Sequence, residues 1–167
     1  EDEIWKSLEK TLRGALENFG ASREKEGENL KEDMISKLDN LLTVVDFIEE
    51  RSPQIVAEYR EKLTAKVKEL LEDVKVDEGR LLTEVTIYAD KVCVDEEIVR
   101  LRSHIASTKD TLIAGGAVGR KLDFMAQEMN RESNTILSKT TDIAISERGI
   151  ILKTEIEKIR EQIQNLE

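Results

Sequence analysis

Apolar residues recur along this chain at intervals of three and four positions, the spacing that places them on one face of an α-helix. The pattern predicts a first helix over residues 1–19, ended by Gly20, and a second over about residues 22–51. A third helix is predicted to begin at Ser52 and Pro53. Ser52 would be its N-cap and Pro53 its first helical residue, where the missing N–H of proline costs nothing.

The rest of the chain predicts four more helices. A short fourth helix follows a cap at Asp77, and a fifth runs from Asp95 to the glycines at 115 and 116. The sixth carries its apolar residues at positions 118, 122, 125, 129 and 136, and the last keeps heptad spacing from Ile145 to Leu166. No β-strand pattern competes over a long stretch. We therefore predict an all-α fold of about seven amphipathic helices, several of them long, with coiled-coil-like packing of helical hairpins.

Two regions are expected: a long-helix hairpin or scaffold over residues 1–93, and a C-terminal helical domain over residues 94–167. The composition agrees with long solvated helices, because 37% of the 167 residues are charged and only 4% are aromatic. One cysteine excludes an internal disulfide, and no run approaches the roughly 18 apolar residues of a membrane helix. A cytoplasmic protein without a membrane partner is the expectation.

The net charge of −10 argues against nucleic acid as a partner, since phosphate binding depends on Lys and Arg. The charge is unevenly distributed, however. Residues 98–139 contain seven basic and four acidic residues, a net charge of +3, and the remainder carries −13. Basic residues beside carboxylates are what phosphodiester chemistry requires, because cations hold the phosphate while carboxylates hold a metal or transfer protons.

One carboxylate interrupts the apolar pattern of the sixth helix. Glu132 occupies a position where the register predicts an apolar residue, so it should have a cation, a metal or a hydrogen-bond donor opposite it. Glu128 lies four residues earlier on the same helical face, and the two could share a divalent cation. The alternative is a solvated helix whose Glu and Arg residues form ordinary surface pairs.

The only histidine, His104, lies beside an apolar position of the fifth helix. Glu97, Arg100 and His104 are spaced to share one face, and either neighbour could set the protonation of the imidazole. Histidine is the usual acid–base residue at neutral pH. The alternative is a boundary residue that makes a single hydrogen bond.

Several long motifs resemble those of the bacterial YicC/YloC family. They are the run from Gly119 to Thr135 with Ser138 and Lys139 behind it, the ending from Glu155 to Glu167, Arg23 to Gly27, Ala89 to Lys91, and Asp95 to His104. The resemblance implies a cytoplasmic, metal-dependent endoribonuclease that forms a homo-oligomer, a ring of six subunits. It also implies an N-terminal domain of mixed α/β type that this chain lacks, so the chain would be the helical C-terminal portion.

These observations together predict metal-assisted cleavage of RNA, with Mn²⁺ or Mg²⁺ as cofactor. Catalytic roles fall to His104, Glu128 and Glu132, and metal ligation to Asp123, Glu128 and Glu132. The residues expected to bind RNA or its phosphates are Arg100, Arg102, Arg120, Lys121, Arg131, Asn134 and Lys139. A metal-free variant remains open, in which His104 activates the ribose 2′-hydroxyl and Arg131 supports the phosphorane. So does a non-catalytic role, either as an oligomerisation module or as a regulatory RNA-binding module.

Overall fold

The computed structural model describes residues 2–71 and 77–165, which form five α-helices and contain no β-strand. The helices are α1 (Asp2–Leu71), α2 (Glu78–Val92), α3 (Asp95–Ala114), α4 (Gly119–Lys139) and α5 (Ile143–Ile163). The all-α class is confirmed. The predicted number of about seven helices is wrong, because the first three predicted helices form one continuous helix, α1, of 70 residues.

Neither predicted break in α1 occurs, and the reason differs between the two. Gly20 costs about 1 kcal/mol relative to alanine, which is too little to end a helix that continues on both sides of it. At Pro53 the cost is about 3 kcal/mol. Ile48 and Ile55, on either side of it, are both buried, and each contributes on the order of 2 kcal/mol. Ser52 is not an N-cap, because its Oγ donates to the carbonyl of Ile48 at 2.7 Å, a bond made inside a continuing helix.

The core is a four-helix bundle made by α3, α4, α5 and the middle of α1. Residues 34–55 of α1 pack against α3 and α5, and α4 packs against the same two helices on the other side. Contacts across the bundle show that neighbouring helices are antiparallel: Lys109 meets Asp39 while Arg102 meets Asp46, and Asp123 meets Arg160 while Asn130 meets Glu157. The result is an up-down-up-down bundle with apolar residues inside.

Helix α2 forms a hairpin with the C-terminal part of α1. The rings of Tyr59 and Tyr88 stack with centroids 3.8 Å apart, and Asp77 caps α2 by accepting from the backbone N–H of Gly79 and Arg80. The predicted cap is therefore confirmed. Nothing tests the proposed division at residues 93 and 94, which stays a prediction and whose outer limits include residues that the structure does not describe.

The N-terminal part of α1 is exposed. Ile4, Trp5, Leu8, Leu12, Leu16 and Phe19 each leave 58–75% of their surface accessible. No described helix has the length and apolar character needed to cross a membrane. At the other end of the chain, α5 stops at Ile163, and the predicted last position, Leu166, lies outside the described residues.

The turn between α3 and α4 fixes how these two helices face each other. Gly115 and Gly116 adopt φ values of +69° and +86°, a left-handed region that glycine enters without the steric cost of a side chain. The predicted break at these glycines is confirmed. The tight turn returns the chain at once, so α3 and α4 run antiparallel along their whole length.

Candidate functional site

Helices α3 and α4 present polar side chains to each other along one edge of their interface. The apolar residues of α4, Leu122, Met125, Met129 and Ile136, are buried as the register predicts. This packing leaves Glu128 and Glu132 facing the polar edge of α3, where Arg100 and His104 lie. The core register of each helix therefore determines which polar groups meet.

Three potential metal ligands come together on this edge. One nitrogen of the His104 imidazole and one carboxylate oxygen each from Glu128 and Glu132 all lie within 4.8 Å of one another. Glu132 is 3% exposed, while His104 and Glu128 are half-buried. All three residues are predicted from the sequence, but His104 is predicted for proton transfer and not as a ligand, because the distance between α3 and α4 is set by the turn and not by spacing along one helix.

Two arginines flank the two carboxylates. Arg100 Nη1 lies 3.8 Å from Glu132 Oε1, and Arg131 Nη1 lies 3.7 Å from Glu128 Oε2. The expectation that Glu132 has a cation opposite it is confirmed. Both separations exceed the usual length of a hydrogen bond, so the arginines offset the charge of the carboxylates without occupying their oxygens.

A partly buried ion pair lies at one end of the same interface. Lys139 Nζ donates to Glu97 Oε1 at 2.7 Å, and the Glu97 residue is only 5% exposed. Its second oxygen, Oε2, is buried without a hydrogen-bond partner among the described residues. Lys139, predicted to bind phosphate, is thus paired with a carboxylate of α3. The burial of Glu97 is not predicted from the sequence, because it follows from the place of this residue in the first turn of α3 opposite the end of α4.

Asp123 lies outside the group of three potential metal ligands, His104, Glu128 and Glu132, which is called the donor group below. Its carboxylate accepts from Arg160 Nε at 2.9 Å and from Gln127 Nε2 at 2.6 Å. The guanidinium of Arg160 is the main cause that lowers the pKa of Asp123, and the bond from Gln127 adds to it. Asp123 therefore joins α4 to α5, and its predicted role as a metal ligand stays a prediction.

The basic residues predicted to bind RNA differ in what surrounds them. Arg102 Nη2 lies 2.7 Å from Asp46 Oδ1 and 2.5 Å from Glu49 Oε2, so it joins α3 to α1. Arg120 and Lys121, in the first turn of α4, are exposed and make no ion pair with another described residue. Asn134 is exposed on the outer face of α4. Sequence alone could not separate these cases, because the acidic partners lie more than fifty positions away.

The comparisons with known proteins agree with the motifs. The family model for the C-terminal part of endoribonuclease YicC-like proteins matches residues 48–167, which include all three members of the donor group. This chain belongs to the YicC-like family. The predicted family is therefore confirmed.

Two YicC relatives illustrate how far the similarity extends. The chain is 47% identical over 168 residues to a protein of Clostridioides difficile (strain 630) named "Probable endoribonuclease YicC". It is 39% identical over 166 residues to a protein of Haemophilus influenzae with the same name. These alignments cover 100% and 99% of the chain but only 57% of each relative, so the chain spans little more than half the length of these YicC proteins.

Proposed function

We propose that this chain forms the part of an endoribonuclease in which His104, Glu128 and Glu132 hold a divalent cation beside an RNA phosphodiester bond. The observation that carries the proposal is the convergence of the three donor atoms within 4.8 Å. Burying a carboxylate such as Glu132 is costly unless a cation or hydrogen bonds compensate for it. The names of the two relatives support RNA as the substrate, and the cytoplasm would be the site of action.

The donor set fits a divalent metal. Two carboxylates and one imidazole suit Mn²⁺ better than Mg²⁺, because Mg²⁺ prefers oxygen ligands and keeps several of its waters. When bound, the cation would polarise a phosphate oxygen and lower the pKa of an attacking water. Mn²⁺ is therefore the preferred cofactor of this proposal, and Mg²⁺ is the weaker alternative.

The chain's own side chains would position the phosphate. Arg100 and Arg131 lie 3.8 Å and 3.7 Å from the two carboxylates, close enough to hold a phosphate placed beside the cation. They would also stabilise the negative charge that develops on the phosphate during cleavage. His104 serves as a ligand in this arrangement. In the metal-free alternative it would instead take the proton of the ribose 2′-hydroxyl.

A cleavage assay separates these versions. Labelled RNA is incubated with the chain in Mn²⁺ and in excess chelator, using wild type, Glu128→Gln and a matched control, Glu147→Gln, whose carboxylate is exposed on α5. We expect cleavage in Mn²⁺ by wild type and the control, and a loss of at least tenfold in Glu128→Gln. Undiminished cleavage in chelator would exclude the metal version. Binding without cleavage in any condition would favour a regulatory RNA-binding module.

A second candidate, an assembly module, is favoured by the exposed N-terminal part of α1. Trp5, Leu8, Leu12, Ala15 and Phe19 follow the alternating three and four spacing of a coiled coil, and the large members of this set are exposed. That spacing is complementary to itself, so a second copy of the chain is the proposed occupant. A ring of six subunits would be built on such contacts.

Sedimentation of the chain tests the assembly proposal. Leu8→Glu with Leu12→Glu should reduce the mass of the assembly, whereas Lys6→Glu, off the apolar face, should leave it unchanged. A wild-type chain that remains a monomer at high concentration would contradict the proposal.

A further inference from the structure

A shallow polar groove of about 480 Å³ runs along the outer face of α4, next to the proposed metal centre. It is lined by Gln127, Asn130, Arg131, Asn134, Thr135 and Ser138. The residues from 127 to 138 extend roughly 16 Å along the helix, a length comparable with a few nucleotides. Arg131 is shared, since it lines the groove and lies 3.7 Å from Glu128. The groove therefore lies on the face of α4 next to His104, Glu128 and Glu132.

Hydrogen bonds within α4, and one to α5, orient the amide side chains of the groove. Gln127 Nε2 donates to Asp123, and Asn130 Nδ2 lies 3.4 Å from Glu157 Oε2. Carboxylates can only accept, so they draw the NH₂ groups of these amides toward themselves. Asn134 Nδ2 in turn donates to Asn130 Oδ1 at 3.4 Å. The oxygens Gln127 Oε1 and Asn134 Oδ1 make no hydrogen bond with another described residue, and both side chains are exposed.

The two hydroxyl groups add acceptors of the same kind. Thr135 Oγ1 donates to the carbonyl of Arg131 at 3.2 Å, and Ser138 Oγ donates to the carbonyl of Thr135 at 2.8 Å. Each hydroxyl has therefore used its single hydrogen and retains lone pairs. Apart from Arg131, the amide oxygens and hydroxyls of the groove offer more lone pairs than the amides have free N–H groups. Arg131 is the one cation among the lining residues, so the rest of the groove has little to attract a phosphate.

The ribose 2′-hydroxyl and the amino groups of bases are donors that match this surface. We propose that the groove binds the sugar and base side of single-stranded RNA next to the scissile phosphate, and that it accepts a hydrogen bond from the 2′-hydroxyl. This group is what allows a protein to distinguish RNA from DNA at a given position. The inference rests on the proposed function, and it adds a determinant of RNA specificity on residues outside the metal centre.

Fluorescence anisotropy with three oligonucleotides of one sequence tests the groove: RNA, DNA and 2′-O-methyl RNA. Ca²⁺ replaces Mn²⁺ to slow cleavage, and a gel confirms that the RNA is intact. Wild type should bind RNA more tightly than both other strands, because 2′-O-methyl RNA keeps the oxygen but lacks the donor hydrogen. Equal binding of RNA and 2′-O-methyl RNA would overturn the proposed role of the 2′-hydroxyl.

Asn134→Ala and a matched control, Asn40→Ala on the exposed face of α1, make the test specific to the groove. Losing one such hydrogen bond should weaken RNA binding about fivefold in Asn134→Ala and leave DNA binding within about twofold. Asn40→Ala should change neither. If Asn134→Ala loses RNA and DNA affinity in parallel, or loses neither, the proposed role of the groove is overturned but the proposed function is not. A wild-type chain that binds no RNA overturns the proposed function as well.

Discussion

Arg100 and Glu132 meet across the interface of α3 and α4, with Arg100 Nη1 3.8 Å from Glu132 Oε1. Arg131 stands in the same relation to Glu128 at 3.7 Å, and Arg100 also donates to Glu96 of its own helix, so three carboxylates face two guanidinium groups. The polar edge then carries a formal charge of −1 and repels an approaching phosphate. A bound divalent cation would change its formal charge to +1, and the site would attract phosphate only after the metal has bound.

This relationship predicts that Arg100→Gln changes the affinities for Mn²⁺ and for RNA in opposite directions. Removing the positive charge should increase Mn²⁺ affinity by about two- to fivefold, since the pair is partly exposed and screened. RNA affinity at saturating Ca²⁺ should decrease by a similar factor. Calorimetry with Mn²⁺ and anisotropy with RNA measure the two changes. A decrease in both affinities would indicate that Arg100 only supports the fold.

The salt dependence of RNA binding should identify which basic residues contact phosphate. Arg120 and Lys121 are exposed and unpaired with described residues, so Arg120→Gln with Lys121→Gln should reduce the slope of log K against log salt by about two units at most. Arg102→Gln should leave the slope nearly unchanged, because Arg102 is held by Asp46 and Glu49. A reduced slope in Arg102→Gln would contradict this assignment.

Arg51 should couple stability to pH. It donates to Asp142 at 2.8 Å and to Glu58 at 3.0 Å, and it is the main cause that lowers the pKa of both carboxyl groups. A carboxyl group whose pKa is lower in the folded state stabilises the fold above its unfolded pKa of about 4, and that stability is lost as the pH falls further.

Arg51→Met should therefore lower the melting temperature by several degrees at neutral pH. The difference from wild type should shrink as the pH falls from about 4 toward about 2, where both carboxyl groups become protonated. Thermal melting monitored by circular dichroism measures this difference in melting temperature. Arg80→Met is the control, because the Arg80 side chain is 91% exposed. A difference that does not vary with pH would show that Arg51 acts through packing alone.

Much of the fold follows from the apolar register, and the exceptions have a common cause. Glu132 can be recognised from the sequence because it occupies an apolar position, and Arg100 lies opposite it as one of the predicted kinds of partner. The continuity of α1 through Pro53 could not be predicted from the sequence, since it depends on the burial of Ile48 and Ile55 against other helices. Contacts between distant segments decide such cases, and local helix signals do not report them.

The same limit applies to the site. Glu128 and Glu132 lie one turn apart on α4, so sequence alone placed them on one face. His104 joins them only because the turn at Gly115 and Gly116 folds α3 back along α4. Likewise, the excess of positive charge over residues 98–139 predicts that the phosphate-binding residues lie in this segment. In the structure, part of that charge is matched by Asp46 and Glu49 of α1.

Electron paramagnetic resonance of Mn²⁺ added to the chain tests the central claim most directly, because it requires neither RNA nor any segment outside this chain. We predict one Mn²⁺ bound by wild type and by the control Glu147→Gln, and an affinity at least tenfold weaker in Glu132→Gln and in His104→Gln. Circular dichroism should show that the variants remain helical. No bound Mn²⁺ in wild type, or unchanged binding in Glu132→Gln, would contradict the assignment of this site.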